Sequence, residues 1–295
     1  MVEIVVLSGK GGTGKTSLTA AFAHLASRHV ICDLDVDAPD LHLLLDPQRL
    51  ETEAFVSGFE ATIRPEDCTA CGVCAERCRY DAIIEGPDAF RIDSLRCEGC
   101  KVCVEFCPAD AIDFTPRYCG DWYRSDSRFG PMIHAQLFPG EENSGRLVAL
   151  LRQKAKVMAE QDGLDLILSD GPPGIGCPVI SSLSGAAMAV IVTEPTPSGL
   201  HDLERIVELC AFFKIPTGVI VNKFDLHIQR TGVIKDFCTK NGLAMLGKLP
   251  HDQVMTEAMV AAQTVTEYAP DSAIAREIRL IWQNIEGWSA TRAAA

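Results

Sequence analysis

The sequence predicts an α/β fold in which a doubly wound, mainly parallel sheet is interrupted by a small inserted α+β domain. Three observations predict it. Short apolar runs alternate with amphipathic segments, a glycine-rich turn follows the first run, and a cysteine-rich repeat breaks the alternation. Alternating strands and helices are typical of parallel sheets covered by helices on both faces. We therefore expect a sheet domain over residues 1–64 and 117–295, with the insert over residues 65–116.

The strands of this sheet are predicted from six short apolar runs, because buried parallel strands are almost continuously hydrophobic. The runs are Val2–Ser8, His29–Cys32, Leu164–Leu168, Ala187–Val192, Thr217–Val221 and Ala244–Leu249. Helical periodicity predicts helices at Ser17–Ser27, Gly145–Gln161, Gly199–Phe213, Thr231–Asn241 and Ser272–Trp288. The segment Tyr118–Phe138 is predicted to form a hairpin that leads from the insert back to the sheet.

Composition restricts the class of function. The chain of 295 residues has 27 Lys and Arg against 40 Asp and Glu, a formal net charge of −13 that argues against nucleic acid as a partner. No apolar run reaches about 18 residues, so we expect no membrane insertion. The first residues lack the basic region and cleavage site of a signal peptide, which predicts a cytoplasmic protein. In a reducing compartment, thirteen cysteines indicate metal or redox chemistry rather than disulfides.

The glycine-rich turn SGKGGTGKTS, at residues 8–17, fits the phosphate-binding pattern G-x-x-x-x-G-K-[ST] through Gly9, Gly14, Lys15 and Thr16. A strand before it and a helix after it argue against a chance glycine-rich loop. Backbone N–H groups at the start of the helix would bind phosphate, Lys15 would neutralise the β- and γ-phosphates, and the Thr16 hydroxyl would bind Mg²⁺. The residues expected to bind nucleotide are Gly11, Gly12, Thr13, Gly14, Lys15, Thr16 and Ser17.

The insert contains two copies of C-x2-C-x2-C-x3-C with an offset of 29 residues, the spacing of bacterial ferredoxins with two [4Fe–4S] clusters. The fourth cysteine of each copy binds the other cluster in such proteins. The first cluster should therefore use Cys68, Cys71, Cys74 and Cys107, and the second Cys97, Cys100, Cys103 and Cys78. The alternative is a pair of structural zinc sites, which two matched four-cysteine runs make the weaker interpretation.

The remaining cysteines divide into two groups. Cys32, Cys210 and Cys238 lie in apolar periodic segments and are expected in the core. Cys177 and Cys119 lie outside such segments, and each is kept as a candidate ligand or redox residue.

A second lysine in the loop, Lys10, marks the deviant phosphate loop of the MinD/ParA-type ATPases, and the chain resembles that superfamily along its length. The matching segments are DLDVDAPDL at 33–41, LDLILSDGPPG at 164–174, VIVNKFD at 219–225 and LPHD at 249–252. With the cysteine repeat, the chain is similar to the members of the superfamily that contain an inserted two-cluster ferredoxin domain. The resemblance implies a P-loop fold and a homodimer that forms on ATP binding.

The resemblance also implies a role for individual residues. Lys10 would reach across the dimer to the partner's phosphates, and Asp35 would orient the attacking water. Asp33 would support the Mg²⁺ shell, and Asp170 would hold Mg²⁺ through water. Carboxylates at the ends of neighbouring strands beside a phosphate loop are where a metal-bound triphosphate needs them, although Asp33 and Asp35 also fit a solvated acidic turn.

The base-binding segments leave the choice of nucleotide open. The resemblance implies that Asn222 hydrogen-bonds the base and that Pro250 lies beside it. Asn222–Asp225 also spells the guanine-reading sequence NKxD of GTPases. ATP is favoured by the fit to the MinD/ParA-type families.

Three functions are compatible with these motifs. In the first, ATP hydrolysis changes the dimer geometry and gates electron transfer through the two clusters to an unknown redox or metallocluster partner. In the second, the protein is an iron–sulfur assembly or insertion factor. In the third, it is a MinD-like switch that senses redox state. The ferredoxin-type ligation favours the first, because a carrier should expose a transferable cluster. The apolar stripe of the last helix, from Ile274 to Trp288, is expected to pack on the sheet, because the opposite face is not basic as a membrane-binding helix requires.

Overall fold

The computed structural model describes residues 1–141 and 145–293. The chain forms two compact units. The first unit consists of Met1–Thr52, Trp122–Gln136 and Asn143–Ala295, and the second of Glu53–Asp121 and Leu137–Glu142. The second unit contains the whole interval 65–116 of the expected insert. It also takes in the ends of the flanking strands and the segment after the hairpin.

Eleven strands and eleven α-helices are described. The strands are β1 (Val2–Ser8), β2 (His29–Asp33), β3 (Gln48–Ile63), β4 (Ile83–Ile84), β5 (Arg91–Ile92), β6 (Ile112–Ser127), β7 (Gly130–Leu137), β8 (Leu166–Pro173), β9 (Met188–Thr193), β10 (Thr217–Val221) and β11 (Ala244–Lys248). The helices are α1 (Lys15–Leu25), α2 (Leu41–Leu45), α3 (Val73–Arg77), α4 (Val102–Glu105), α5 (Arg146–Gln161), α6 (Cys177–Leu183), α7 (Pro197–Phe212), α8 (Ile228–Lys240), α9 (Gln253–Val260), α10 (Val265–Tyr268) and α11 (Ala273–Ala293). A 3₁₀ turn covers Phe224–Leu226.

The nine-stranded sheet has the order β11-β10-β9-β1-β8-β2-β7-β6-β3. The six pairings from β11 to β7 are parallel. Strand β1 lies between β9 and β8, and the strand order of the sheet changes direction at this point. Ligands bind at such switch points in open α/β sheets. All six predicted strands are confirmed, as are the five predicted helices, with ends that differ by a few residues.

The two faces of the sheet are covered by different helices, because successive side chains of a strand point to opposite sides. Ile4 and Val6 of β1 pack with α1, α2 and α11 in one apolar cluster. Val5 and Leu7 pack with α6, α7 and α8 in the other. Both clusters consist of residues that are less than a tenth exposed, so β1 is buried on both sides. The predicted mostly parallel α/β fold is confirmed.

The last helix packs on the first of these clusters. Ile274, Ile278, Ile281 and Ile285 are buried there, and Trp282 stacks on Phe22 of α1 with 5.4 Å between ring centroids. The prediction that the apolar stripe docks on the sheet is confirmed. Over residues 1–141 and 145–293, no helix combines the length and hydropathy needed to cross a membrane. Cys32, Cys210 and Cys238 are buried, as predicted.

The predicted hairpin exists but is longer than its prediction. β6 and β7 are neighbours in the sheet and are joined by Arg128 and Phe129 alone. Strands with so short a connection must be antiparallel, because parallel neighbours need a long crossover. The sequence prediction omitted β3, which covers sixteen residues and is mostly exposed over its first half. Because its first seven residues are all exposed, that half of β3 has no apolar run from which it could be predicted.

The second unit repeats its backbone geometry with the same offset of 29 residues as its cysteines. Left-handed backbone conformations occur at Ala70 and Gly99, at Gly72 and Lys101, and at Asp81 and Asp110. Helix α3 starts directly after Gly72, and α4 directly after Lys101. Because positive φ is unusual for residues other than glycine, its recurrence at equivalent positions shows that the two halves have the same local fold.

Candidate functional site

A cleft in the first unit opens over the loop between β1 and α1. Every residue predicted to bind nucleotide from Gly11 to Ser17 lines it, together with Asp35, Asn222 and Pro250. Met255, Met259, Leu43 and Leu44 add apolar walls. Lys10, Asp33 and Asp170 are not among its lining residues. The cleft therefore joins the predicted phosphate-binding and base-binding segments.

The loop depends on glycine at two positions. Gly12 has φ +80° and Gly14 has φ +88°, a left-handed conformation that only glycine adopts without cost. Gly14 also has no room for a side chain, since a β carbon there would lie 2.5 Å from Nδ2 of Asn222. Gly14 is the residue before α1, so the N–H groups of the first helical turn remain available for an anion.

Lys15 lies under the loop, where carboxylates surround it. Its Nζ lies 2.9 Å from Oδ2 of Asp170 and 3.5 Å from Oδ2 of Asp35, and the side chain is only 5% exposed. Burial opposes the charge of Lys15, but Asp170 and Asp35 outweigh burial and raise its pKa. Lys15 is therefore a fixed positive charge at the floor of the cleft.

Asp170 is held by two hydroxyls from α1. Thr16 donates a hydrogen bond to Oδ2 at 2.7 Å, and Thr19 donates one to Oδ1 at 2.8 Å. Asp33 lies beside it, because β2 and β8 pair with Asp33 opposite Asp170. The structure thus brings together Thr16, Asp33 and Asp170, the three residues predicted to surround Mg²⁺.

Asp33 provides the test of whether a cation fits. It is 1% exposed; its Oδ1 accepts the N–H of Asp35 at 3.1 Å, and its Oδ2 has no hydrogen-bond partner among the described residues. Burial, followed by the charge of Asp170, raises its pKa well above the ordinary value. Burial likewise raises the pKa of Asp35 to about 6. A divalent cation would stabilise the charged forms of these carboxyl groups, which burial disfavours, and carboxylate oxygens are the ligands that Mg²⁺ prefers. The donor set fits Mg²⁺.

The base-binding segment contacts the phosphate loop directly. Nδ2 of Asn222 donates to the carbonyl of Thr13 at 2.8 Å, and Oδ1 accepts the N–H of Lys223 at 3.0 Å. Asn222 therefore supports the loop, and its contact with a base stays a prediction. Asp225 accepts the N–H of His251 at 2.7 Å through Oδ1, so one of the oxygens that would read guanine is already engaged.

Lys10 points to the junction between β9 and α7. Its Nζ lies 3.5 Å from Oε2 of Glu194, and it donates to the hydroxyls of Thr196 at 3.5 Å and Ser198 at 3.3 Å. The side chain is 36% exposed. The other oxygen of Glu194 accepts from Lys223 at 2.5 Å. In this state the loop's first lysine contacts groups of its own chain.

The second unit contains two small cavities, each lined by four cysteines. The first is lined by Cys78, Cys97, Cys100 and Cys103, and the second by Cys68, Cys71, Cys74 and Cys107. These are the same two sets that crossed ligation predicts. Each set takes three cysteines from one copy of the repeat and the fourth from the other. Apolar residues supply most of the remaining walls, including Ile83 and Ile92 in the first and Ile63 and Ile112 in the second.

The arrangement of these thiols tests whether a cluster fits. A mononuclear zinc site needs four sulfurs about 2.3 Å from a single centre. Four thiols around one cavity also match the four-sulfur ligation of a [4Fe–4S] cluster, and the choice between the two groups stays a prediction. Burial raises the pKa of Cys103 to about 11, and also raises that of Cys74, so any metal that these thiols bind must displace their protons.

The two other candidate cysteines occupy different environments. Cys119 is buried, and its thiol lies 3.3 Å from the carbonyl of Ser57. Cys177 is exposed at the first position of α6. Neither lines either of the two cysteine cavities, and a role for each stays a prediction.

The family is decided by a sequence comparison that covers most of the chain. Residues 4–265 match the family described as the CobQ/CobB/MinD/ParA nucleotide binding domain. The chain belongs to the CobQ/CobB/MinD/ParA family. Its first unit is a nucleotide-binding ATPase domain of the MinD/ParA type, which agrees with the predicted superfamily.

Individual relatives agree with this family membership. The chain is 36% identical over 228 residues to the uncharacterized protein MJ0578 of Methanocaldococcus jannaschii, covering 76% of this chain and 78% of that protein. It is 26% identical to the septum site-determining protein MinD of Synechocystis, over 85% of this chain and 76% of that protein. It is also 28% identical to the cytosolic Fe-S cluster assembly factor Nubp1 homolog of Drosophila melanogaster, over 47% of this chain and 50% of that one.

Solved structures agree on the fold. The cell division ATPase MinD of Pyrococcus furiosus superposes with a TM-score of 0.59 at 19% identity, covering 97% of this chain and 99% of that one. MinD of Pyrococcus horikoshii, solved in complex with Mg-ADP, gives a TM-score of 0.60 at 17% identity, covering 99% and 98%.

Three residues of this CobQ/CobB/MinD/ParA domain were missed by sequence reasoning. Thr19 follows Lys15 by one helical turn, and that spacing could have indicated that it faces the same carboxylate. Glu194 comes directly after β9, the same strand-end signal that identified Asp33 and Asp170. Lys223 was read as part of NKxD only. It also donates to the carbonyl of Gly12 at 3.3 Å, which joins the base-binding segment to the phosphate loop.

Proposed function

We propose that the protein is an ATP-binding and ATP-hydrolysing iron–sulfur protein. Nucleotide-driven rearrangement of a homodimer would gate electron transfer through two [4Fe–4S] clusters to a partner protein. One observation carries this proposal: a single chain contains a phosphate-loop cleft and two cavities that are each lined by four crossed cysteines. The cleft would bind ATP as the energy source, and the two sets of cysteines would bind the clusters that carry electrons.

The nucleotide half of the proposal rests on the charges around Lys15. Lys15 is paired with Asp170 and Asp35. Phosphates entering the loop compete for the same ammonium, which leaves the carboxylates free to face a cation. Thr16 and Asp33 would then hold Mg²⁺ directly or through water, with Asp170 in its shell. Mg²⁺ supplies charge neutralisation for the phosphates.

Asp35 is the residue proposed to orient the attacking water. It lines the cleft, whereas Asp33 and Asp170 lie beneath it. Its carboxylate is 13% exposed, and its pKa of about 6 is close to the value that suits proton transfer near neutral pH. Lys10 would add positive charge to the partner subunit's phosphates as the bond to the terminal phosphate breaks.

The iron–sulfur half rests on the crossed cysteine sets and on the distribution of thiols around each cavity. The eight thiolates would hold two clusters, each with apolar residues on part of its cavity wall and one exposed cysteine, Cys71 or Cys100. The clusters supply one-electron redox chemistry when bound. What this chain contributes is ligation, burial and the N–H groups around the thiols, such as Ala111, whose N–H lies 3.4 Å from Sγ of Cys107.

An assembly or insertion factor for iron–sulfur clusters is the second candidate. The observation that favours it is the similarity to the Nubp1 homolog, which is described as a cytosolic Fe-S cluster assembly factor. A carrier must release its cluster to a client, whereas an electron carrier must retain it.

The experiment that tests the proposal is anaerobic purification followed by iron, sulfide and zinc analysis. We expect about eight iron and eight sulfide per chain. Cys238→Ser, in the buried core of the first unit, should leave the iron content unchanged and serves as the matched control for Cys100→Ser, which should lower it. Stoichiometric zinc with little iron would contradict the proposal. Incubation of the loaded protein with an apo-ferredoxin then separates the candidates: retention of the clusters favours electron transfer, and ATP-dependent loss of iron to the acceptor favours assembly.

A further inference from the structure

Glu194 forms a bridge between the first lysine of the phosphate loop and the lysine of the base-binding segment. Oε1 lies 2.5 Å from Nζ of Lys223, and Oε2 lies 3.5 Å from Nζ of Lys10. The carboxylate is 10% exposed, so solvent contributes little to its stabilisation. Lys223 is itself anchored on the carbonyl of Gly12 at 3.3 Å. One buried anion therefore links the two segments that bind the ends of a nucleotide.

The surroundings of Lys10 match the hydrogen-bonding capacity of an ammonium group. The group has three N–H donors, and three oxygens lie within 3.5 Å of its nitrogen: those of Glu194, Thr196 and Ser198. All three come from the junction of β9 and α7. Thr196 is fixed because it caps α7 by accepting the N–H of Gly199 at 3.0 Å. The junction is thus a preformed acceptor for Lys10 within the same chain.

We propose that Glu194 is a positioning residue that holds Lys10 in its own subunit and thereby restrains hydrolysis until a second copy of the chain arrives. The inference rests on the proposed function, in which Lys10 acts on the partner subunit's nucleotide. A lysine that is hydrogen-bonded to Glu194 cannot at the same time reach another subunit. The carboxylate of Glu194 and the partner subunit's phosphates therefore compete for one ammonium.

The arrangement also explains how Lys10 can leave. Lys10 is 36% exposed and its contact with Glu194 is long, which is typical of a weak and reversible ion pair. When Lys10 departs, Lys223 remains 2.5 Å from the same carboxylate, so Glu194 is not left as an unpaired buried charge. The release of Lys10 is therefore easier than the loss of an isolated buried ion pair.

The test is the effect of Glu194→Gln on dimerisation with a non-hydrolysable ATP analogue, measured by sedimentation of the full chain. An ion pair as exposed as that of Lys10 with Glu194 changes an equilibrium constant by about two- to fivefold. Because a homodimer releases two lysines, the dimer dissociation constant should fall about 4- to 25-fold. The protein concentration at half-maximal specific ATPase activity should fall in parallel. Glu194→Asp, which retains the charge, should stay closer to the wild type.

Two controls separate this role from a structural one. Glu208→Gln removes the same charge from an exposed position on α7 and should leave dimerisation unchanged. In a Lys10→Ala background, Glu194→Gln should have no further effect on the dimer constant, because a double-mutant cycle isolates the pairwise interaction. The melting temperature of each variant shows whether it is folded.

Each outcome decides between the two ideas. If the wild type dimerises with the analogue and Lys10→Ala weakens the dimer, but Glu194→Gln changes nothing, the proposal for Glu194 is overturned and the proposed function stands. If the Glu194→Gln effect persists without Lys10, it acts through Lys223 and the proposal is again overturned. If the wild type does not dimerise with nucleotide, both ideas are overturned.

Discussion

Gly14→Ala is expected to damage nucleotide binding by a mechanism that the backbone and one neighbouring side chain define. Gly14 has φ +88°, and the left-handed conformation costs a residue with a β carbon about 1–2 kcal/mol. The new β carbon would lie 2.5 Å from Nδ2 of Asn222, which must move. Its hydrogen bond to the carbonyl of Thr13 would then be lost, at about 1 kcal/mol or more.

The two contributions together give a loss of about 2–3 kcal/mol in the loop conformation that binds phosphate. That corresponds to roughly a 30- to 150-fold weaker affinity for ATP, measured by titration with a fluorescent ATP analogue. Gly185→Ala is the control for the backbone cost alone, since Gly185 has φ +80° and nothing within 4 Å of an added β carbon. It should lower the free energy of unfolding by about 1–2 kcal/mol and leave ATP affinity unchanged. Equal ATP affinity in Gly14→Ala and wild type would refute the reasoning.

Three further predictions follow from the two sites and the core. Burial lowers the pKa of His29 and of His134 to about 4, so the unfolded chain takes up their protons first as the pH falls below 6.5. Between pH 6.5 and 4, the wild type should therefore lose about 3 kcal/mol more unfolding free energy than His29→Gln, as measured by urea unfolding. The same pH slope in both proteins would contradict this. Cys78→Ser should disturb the spectrum of the cluster held by the second cysteine run, and a defect confined to the other cluster would refute crossed ligation. Lys15→Ala should abolish ATP binding, whereas Lys10→Ala should spare binding and lower turnover; equal loss of binding in both would contradict the separate roles.

The sheet could be predicted from the sequence because its strands are buried on both faces. The run Thr217–Val221, for example, is mostly apolar, and its observed ends match the predicted ones. The borders of the second unit could not be predicted in the same way. β3 and β6 each extend over sixteen residues with many exposed side chains, and the division between the units falls inside them.

The candidate site was predictable where a local motif specifies it. The phosphate loop and the cysteine runs are contiguous patterns, so their residues could be assigned without a structure. Glu194 was missed because its partner Lys10 is far away in the sequence and only the sheet order brings β1 and β9 together. The second function of Asn222, as a support for the loop carbonyl of Thr13, likewise depends on a tertiary contact.

The central claim is that nucleotide and clusters are coupled, and the most direct test is the affinity for a non-hydrolysable ATP analogue in the oxidised and the reduced protein under argon. Coupling between two sites is reciprocal, so a change in affinity on reduction implies an equal shift in the free energy of cluster reduction on binding. We predict affinities that differ about 5- to 150-fold between the two redox states, which corresponds to a coupling free energy of about 1–3 kcal/mol. Equal affinities, together with a cluster potential that does not move when the analogue binds, would contradict the account.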